Sequence, residues 1–482
     1  MSRIVVLSNR LPAMRPGRGR PEIAAGGLAS VVFGALKKFS DSLWFGWNGK
    51  LEPAERAGRL STQRIGNVDL AGLPLTEREV EDYYTGFCNS ALWPLFHCFQ
   101  GRVALEPRQE RRYREVQARF AAALLPLLRD DDLVWVHDYH FLLAGQELRR
   151  LGWRGRTGFF LHVPFPPHDL WELLPDPRGF IQALTEYDLV GFQVPSYLEN
   201  YVHCCRRELG ASWSGGRIQI EGRTQRAGSY PVGIEPGDFL PPQSLPRAAR
   251  RHGVLQRVVR GRQLILGVDR LDYTKGIPER ILAYEHFLDR HPRWRKKVSF
   301  IQIGSPTRTS ATHYVELKRR VEALAGRLNG EMAEHDWVPL RYLYRSYQRP
   351  VLATFYREAD VGLVTPLRDG MNLVAMEFVA AQDTVDPGVL ILSRCAGAAE
   401  VLSEALIVNP YIPSEVGEAI AHALAMPLEE RLRRHRALLS RVLAGTASVW
   451  ADSFIRDLEG CPRRRASERP AASALPARAQ RP

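Results

Sequence analysis

The chain predicts an α/β protein of two Rossmann-like domains facing a central cleft. Three observations carry this. Short apolar runs alternate with amphipathic helical patterns over most of the 482 residues. The runs are almost continuously apolar, as parallel strands covered on both faces must be. The alternation breaks once, over residues 230–246, where Pro231, Gly233, Pro236, Gly237, Pro241, Pro242 and Pro246 read as an interdomain linker. Two doubly wound domains set face to face place their ligand-binding residues just after strands, at the carboxyl ends.

Taken in order, residues 4–8 read as a first strand, since the apolar part is too short for a signal-peptide core. Trp44, Trp47, Tyr83, Tyr84 and Trp93 fall in sequence that reads as loop-rich. Residues 110–128 form an amphipathic helical pattern, and strands follow at 133–137, 157–162 and 189–193. Past the linker come strands at 264–268, 298–303, 361–365 and 389–393, with helices at 277–290 and 373–381. Residues 446–458 close the pattern as a helix with apolar Val449, Trp450, Phe454 and Ile455. The expected domains are therefore 1–238 and 239–445, with the closing helix packing back on the first. The Ala-, Pro- and Ser-rich stretch 462–482 reads as a disordered basic tail.

Composition is ordinary for a globular protein, with 45% hydrophobic and 25% charged residues. No run approaches the roughly 18 apolar residues that span a bilayer. The six cysteines show no CxxC pair or metal-finger spacing and read as reduced thiols of a cytoplasmic protein. The net charge of +13 invites a nucleic-acid reading. However, the tail alone holds six arginines against one glutamate, and the remaining arginines are scattered over helical stretches. A solvated basic surface explains this better than a nucleic-acid interface.

The most informative stretch is Leu367-Arg368-Asp369-Gly370-Met371-Asn372-Leu373-Val374-Ala375-Met376-Glu377, a glycine turn between a strand and a helix. A helix N-terminus offers free N–H groups and a positive dipole end to a phosphate. Asp369 and Glu377 add hydroxyl-binding carboxylates, so the combination points to a sugar nucleotide. Upstream, a strand ends at Val268, and Arg270 and Lys275 follow in the loop before Pro278. Two such cations suit a diphosphate, Arg as a fork and Lys as a point charge. The competing explanation is surface charges paired with Asp269 and Asp272. Gly26-Gly27 before a helix allows a close phosphate approach but lacks the GxGxxG fingerprint. His137, Asp138, His140 and His162 match no standard zinc spacing. Asp138 and His162, at strand ends, suit sugar hydroxyls instead.

These residues carry a family resemblance. Ser8-Asn9-Arg10, Gly26-Gly27-Leu28, Leu43-Trp44-Phe45-Gly46-Trp47, Tyr83-Tyr84, Leu92-Trp93-Pro94, His137-Asp138-Tyr139-His140, Phe160-Leu161-His162-Val163-Pro164-Phe165-Pro166, Asp188-Leu189-Val190-Gly191-Phe192-Gln193, Arg270-Leu271-Asp272-Tyr273-Thr274-Lys275-Gly276 and Thr365-Pro366-Leu367-Arg368-Asp369-Gly370-Met371-Asn372-Leu373-Val374 run in one order from residue 2 to about 460. In these motifs the chain resembles the trehalose-6-phosphate synthases, retaining glycosyltransferases of family 20 with the GT-B fold.

The resemblance implies transfer of glucose from UDP-glucose to glucose 6-phosphate, without metal or cofactor. It places Arg270 and Lys275 on the donor diphosphate and Gly26 and Gly27 near its phosphates. Tyr347 falls at the base region, Asp369 on the transferred glucose, and Glu377 on the ribose. Further donor contacts fall on Gly370, Met371, Asn372, Leu373, Val374, Ala375 and Met376. Arg10 and Arg308 would bind the acceptor phosphate, with Trp47, Tyr84, Trp93 and Asp138 around the acceptor sugar and His162 at the donor sugar. Arg270, Lys275, Asp138 and His162 are the expected catalytic set. The resemblance also implies a homo-oligomer, dimer or tetramer.

The chain departs from the family pattern at Asp269, Thr274, Phe141 and Met376. The last borders the nucleotide helix and leaves a GDP-glucose donor open, as does the range of phosphorylated acceptors, glycerol 3-phosphate among them. Without room for a phosphatase domain after residue 460, the product is expected to leave phosphorylated. A glycoside hydrolase using Asp369 and Glu377 would leave Arg270 and Lys275 without a role. A nicotinamide oxidoreductase would need the missing fingerprint.

Overall fold

The computed structural model describes residues 2–12, 14–15, 22–23, 32–34, 36, 39, 41–220, 222–239, 261–307 and 312–464. Gly26, Gly27, Arg308, residues 240–246 of the expected linker and the tail beyond residue 464 lie outside them. In chain order the strands are β1 (Ile4–Arg10), β2 (Met14–Arg15), β3 (Glu22–Ile23), β4 (Ser42–Leu51), β5 (Ser61–Ile65), β6 (Val68–Leu75), β7 (Leu133–His137), β8 (Thr157–Phe160) and β9 (Leu189–Phe192). They continue as β10 (Ser212–Ser214), β11 (Arg217–Ile220), β12 (Arg223–Ser229), β13 (Gln263–Arg270), β14 (Val298–Ser305), β15 (Leu340–Leu343), β16 (Val361–Val364), β17 (Val389–Ser393) and β18 (Leu406–Val408).

Two large sheets result. The first has the order β10-β11-β12-β9-β8-β7-β1-β4-β6-β5, and the second β15-β14-β13-β16-β17-β18. The second is parallel throughout. The first is parallel from β12 to β6, with antiparallel β5 at one edge and the hairpin β10–β11 at the other. This is the two-sheet GT-B architecture that the sequence predicts.

Alternation along the strands decides which core each residue joins. Ile4 and Val6 of β1, Trp44 of β4 and Trp135 of β7 enter the core on one face of the first sheet. Val5, Leu7, Phe45, Val134 and Val136 enter the other core, which runs on without a break into the second lobe. Helix Ala447–Glu459 covers the first of these faces. The ring centroids of Trp450 and Phe454 lie 4.8 and 5.0 Å from that of Trp135. Thr446 caps the helix by accepting from the Val449 N–H, a contact that contributes about 1 kcal/mol. Where the chain returns to the first lobe, the Ala447 N–H donates to the Ile234 carbonyl at 3.1 Å, so the two chain crossings run side by side.

Two sequence expectations need correction. Trp44 and Trp47 lie in β4, not in a loop, and Trp93 opens helix Trp93–Phe96. Tyr83 and Tyr84 lie on Val80–Leu92, a wide helix with i→i+5 bonding. Such turns are rare and cluster at functional sites. Trp44 is core, since its ring is buried on the face away from the cleft. In addition, β13 does not stop at Val268. Its pairing with β14 continues through Arg270 opposite Ser305, so Arg270 is the last strand residue and not part of the loop.

Candidate active site

The cation loop begins where β13 ends. The Asp272 carboxylate accepts from the Thr274 N–H and hydroxyl, each at 3.0 Å, and from the Tyr314 hydroxyl at 3.0 Å. These bonds pin one turn, Tyr273–Lys275. Gly276 then takes φ +64°, which a glycine adopts without strain, and helix Ile277–Arg290 follows. Beneath the loop, Arg280 is fully buried and ion-paired to Asp269. It also donates to Thr365 Oγ1 at 2.9 Å, Gln302 Oε1 at 2.9 Å and the Lys275 carbonyl at 3.2 Å. Both nearby acids are thus bound to other groups. Arg270 is exposed, with its guanidinium 5.9 Å from the Trp93 ring centroid.

Lys275 meets the diagnostic turn. Its Nζ lies 2.5 Å from Asp369 Oδ2, and the same oxygen accepts from Asn372 Nδ2 at 3.0 Å. The backbone is held as well. Leu367 N–H donates to the Thr274 carbonyl at 2.8 Å and Asp369 N–H to the Cys395 carbonyl at 3.1 Å. Helix Leu373–Ala381 starts directly afterwards. The turn's left-handed residue is Asn372, φ +76°, not Gly370. Gly370 is needed for space, since a Cβ there would collide with the His162 carbonyl of the other lobe. Tyr197, also of the first lobe, donates from its hydroxyl to the Asp369 carbonyl at 2.9 Å.

One turn into that helix, Glu377 Oε2 accepts from the Tyr356 hydroxyl at 2.8 Å. Burial pushes the Glu377 carboxyl up to about 7, against the opposing pull of that hydrogen bond and of Arg349. Leu373 and Val374 are half-buried on the cleft-side turns, whereas the side chains of Met371, Ala375 and Met376 are packed in the core. Tyr347 is half-buried, stacked under Arg345 at 4.9 Å and beside Phe355 at 5.2 Å.

On the opposite wall, Asp138 follows β7 with φ +71°, a strained conformation for a residue with a side chain. Its Oδ1 accepts from the His162 N–H at 3.3 Å. His162 itself stands 3.0 Å from His137, Nε2 to Nδ1. The aromatic residues form a line. Arg10 lies 5.2 Å over Trp47, Trp47 is 5.9 Å from Tyr84, and Tyr84 stacks on His140 at 6.0 Å. His140 is 4.0 Å from Tyr139, Tyr139 is 5.8 Å from Trp93, and Trp93 meets Arg270. Two exposed guanidinium groups therefore end one continuous aromatic row. Sequence reasoning missed Tyr139, Tyr197, Arg280 and Tyr356. Tyr139 lies inside the motif of residues 137–140 but has no role assigned there, and Tyr197, Arg280 and Tyr356 reach the site through partners distant in sequence, Asp369, Thr365 and Glu377.

Cations at a helix N-terminus on one parallel sheet, faced across a cleft by Asp138, His162 and a row of aromatic rings on another, are the arrangement of a GT-B glycosyltransferase. The model of glycosyltransferase family 20 matches residues 2–460, and the chain belongs to that family. A trehalose-6-phosphate synthase of Sinorhizobium fredii is 42% identical over 462 residues, 95% of this chain and 98% of its own. The crystal structure of an α,α-trehalose-phosphate synthase (UDP-forming) from Burkholderia xenovorans, in complex with glucose-6-phosphate, is similar with a TM-score of 0.88. It is 41% identical, over 95% of this chain and 100% of that one. An E. coli structure bound with UDP-2-fluoro glucose matches with a TM-score of 0.88 and 40% identity, over 96% and 100% of the two chains.

Proposed function

We propose that this chain transfers glucose, with retention of configuration, from UDP-glucose to glucose 6-phosphate, giving α,α-trehalose 6-phosphate and UDP. The observation that carries this reading is the Lys275–Asp369 pair at the start of helix Leu373–Ala381, with the exposed Arg270 at the end of β13. A leaving diphosphate gains charge in the transition state, and preorganised cations with a helix end stabilise it there without reorganising. Of the relatives similar over nearly the whole chain, one is in complex with glucose-6-phosphate and another is bound with UDP-2-fluoro glucose.

In this reading Arg270 and Lys275 grip the diphosphate, and Asp369 holds the transferred glucose. Glu377 accepts the ribose hydroxyls, and Tyr347 borders the base. Gly370 to Met376 contribute chiefly backbone. Across the cleft Arg10 takes the acceptor phosphate, with Trp47, Tyr84 and Trp93 walling the acceptor sugar. Asp138 joins them around the acceptor sugar, and His162 stands at the donor sugar. Gly26, Gly27 and Arg308 keep the roles that the resemblance implies. Asp369 is bound to Lys275 and Asn372, so it acts as a clamp, not a nucleophile. The acceptor hydroxyl's proton passes to the leaving phosphate oxygen on the same face, which gives retention without a protein base.

The same reading makes residues 1–238 the acceptor-binding domain and 239–445 the nucleotide-sugar domain, with the closing helix on the first. It makes the protein a cytoplasmic homo-oligomer, dimer or tetramer. In support, no described helix is long and apolar enough to cross a membrane, and all six cysteines are free. The Met376 side chain is buried, so this departure from the family pattern does not place a new group against the nucleotide.

The test is a product assay with UDP-glucose or GDP-glucose against glucose 6-phosphate or glycerol 3-phosphate, the product identified by mass and NMR. Trehalose 6-phosphate formed best from UDP-glucose is expected. Glucosylglycerol phosphate as the main product, or free glucose alone, would overturn the reading.

A further inference from the structure

His137 has no place in the mechanism above, yet it is a fully enclosed polar group near the cleft. It ends β7 with its side chain fully buried. Its ring packs on those of Trp135 and Trp450, with centroids 4.5 and 6.2 Å away. Its Nδ1 lies 3.0 Å from Nε2 of His162, a residue of the neighbouring strand's exit. Burial holds both rings neutral: His162 is pushed down to about 3, and His137 well below the ordinary range. Each ring therefore carries one proton, and only one proton lies between them.

Two arrangements satisfy that bond. In one, His137 donates from Nδ1 and its Nε2 is a bare lone pair. In the other, His162 donates from Nε2 and the His137 proton sits on Nε2. The surroundings separate them. His137 Nε2 has no hydrogen-bond partner among the described residues. The indole N–H groups of Trp135 and Trp450, the two rings packed on it, have none either. This pocket already holds two buried donors without acceptors. A third N–H at His137 Nε2 would add to that surplus, whereas a lone pair there adds an acceptor. An unpaired buried N–H is also rarer than an unpaired buried acceptor.

We infer that His137 is a positioning residue that holds His162 in the tautomer with its proton on Nδ1. The bond to His137 takes the Nε2 lone pair of His162, so its remaining ring nitrogen meets the cleft as a donor and never as an acceptor. His162 then selects a ligand atom with a lone pair, such as a hydroxyl oxygen, in a fixed orientation. The identity of that ligand as the donor sugar rests on the function proposed above, while the tautomer does not.

The experiment is a long-range ¹H–¹⁵N correlation on the full chain labelled with ¹⁵N-histidine, His162 being assigned through His162→Ala. The expected spectrum shows His162 protonated on Nδ1 and unprotonated on Nε2. The reverse pattern, or a mixture of tautomers, overturns the inference. In His137→Phe the His162 signals should change to a tautomer mixture. Donor kcat/KM should fall about fivefold, the worth of one neutral hydrogen bond, with acceptor KM unchanged. Unaltered His162 signals in that variant overturn the inference. Should His137→Phe not fold, the wild-type spectrum alone decides. An active His162→Ala together with the expected wild-type spectrum would remove the donor-sugar reading and leave the tautomer standing.

Discussion

The two walls of the cleft meet the same ligand pair with opposite designs. The second lobe presents charge held rigidly: Lys275 on Asp369, Arg280 on Asp269, and Asp272 tying three donors. The first lobe presents mostly rings, from Trp47 to Trp93, with its one predicted acceptor-side cation that is described, Arg10, exposed at the rim. Electrostatic groups must be preorganised where charge develops during reaction. An acceptor sugar that gains no charge needs shape and a single handle. The comparison therefore teaches which wall sets rate and which sets acceptor affinity.

Arg270→Ala tests this most severely. It removes an exposed cation from the wall proposed to set the rate, so kcat should fall about 100- to 1000-fold with acceptor KM little changed. A loss below tenfold, or one carried by acceptor KM, breaks the comparison. Arg10→Ala is the opposite probe. Loss of a charge-assisted phosphate contact should raise the KM for glucose 6-phosphate about 10- to 100-fold and leave kcat nearly intact. Steady-state kinetics with each substrate varied in turn separate the two patterns.

The contrast between the walls also explains what could be read from the sequence. The turn at residues 367–377 was legible because a strand, a turn and a helix lie in one short stretch, and helix 373–381 forms with the expected bounds. Its physical reasons were not. Gly370 answers to a carbonyl more than two hundred residues away, and the positive φ falls on Asn372. The placement of Asp269 and Asp272 was also illegible, because their partners Arg280 and Tyr314 belong to other turns. The aromatic wall was the least readable. Trp47 and Tyr84 looked like loop residues because Gly46 and Gly49 interrupt β4, and no periodicity marks the wide helix Val80–Leu92. Charge chemistry clusters in motifs, whereas a surface of rings arises from tertiary packing.

Glu377 sharpens the charged wall with pH. Its carboxyl is raised to about 7 by burial, so it is largely protonated at pH 6 and ionised at pH 8. In its proposed role Glu377 accepts from ribose hydroxyls in the ionised form. The protonated form has one acceptor oxygen fewer and a proton competing with the Tyr356 hydroxyl. Affinity for UDP-glucose should therefore weaken as pH falls through 7, approaching a tenfold loss per pH unit at most. Arg349 and Asp238 act on the same carboxyl in opposite directions and form an ion pair with each other. Titration calorimetry at pH 6, 7 and 8 reads the effect, and Glu377→Gln should flatten it. A slope unchanged in that variant would assign the dependence to another group.

The smallest effect lies where the two walls touch. Tyr197 belongs to helix Pro195–Leu209 of the aromatic side, yet its hydroxyl holds the carbonyl of Asp369, the clamp of the charged side. The ring is buried, and the Arg368 guanidinium lies 5.5 Å from its centroid. Burial also raises the phenol's pKa, so the hydroxyl stays a donor throughout the working range. Tyr197→Phe deletes the donation and keeps the ring and its packing. Gly397 N–H still donates to the same carbonyl at 3.2 Å, so the oxygen is not left bare. The cost is then that of one neutral hydrogen bond, about 1 kcal/mol or roughly fivefold in donor kcat/KM. With Asp369 holding the donor, as proposed, the acceptor KM should not move even though Tyr197 belongs to the lobe proposed to hold the acceptor. If acceptor KM shifts as much as donor KM, the walls do not divide their work by ligand. Contact between the lobes would then matter more than the chemistry of either.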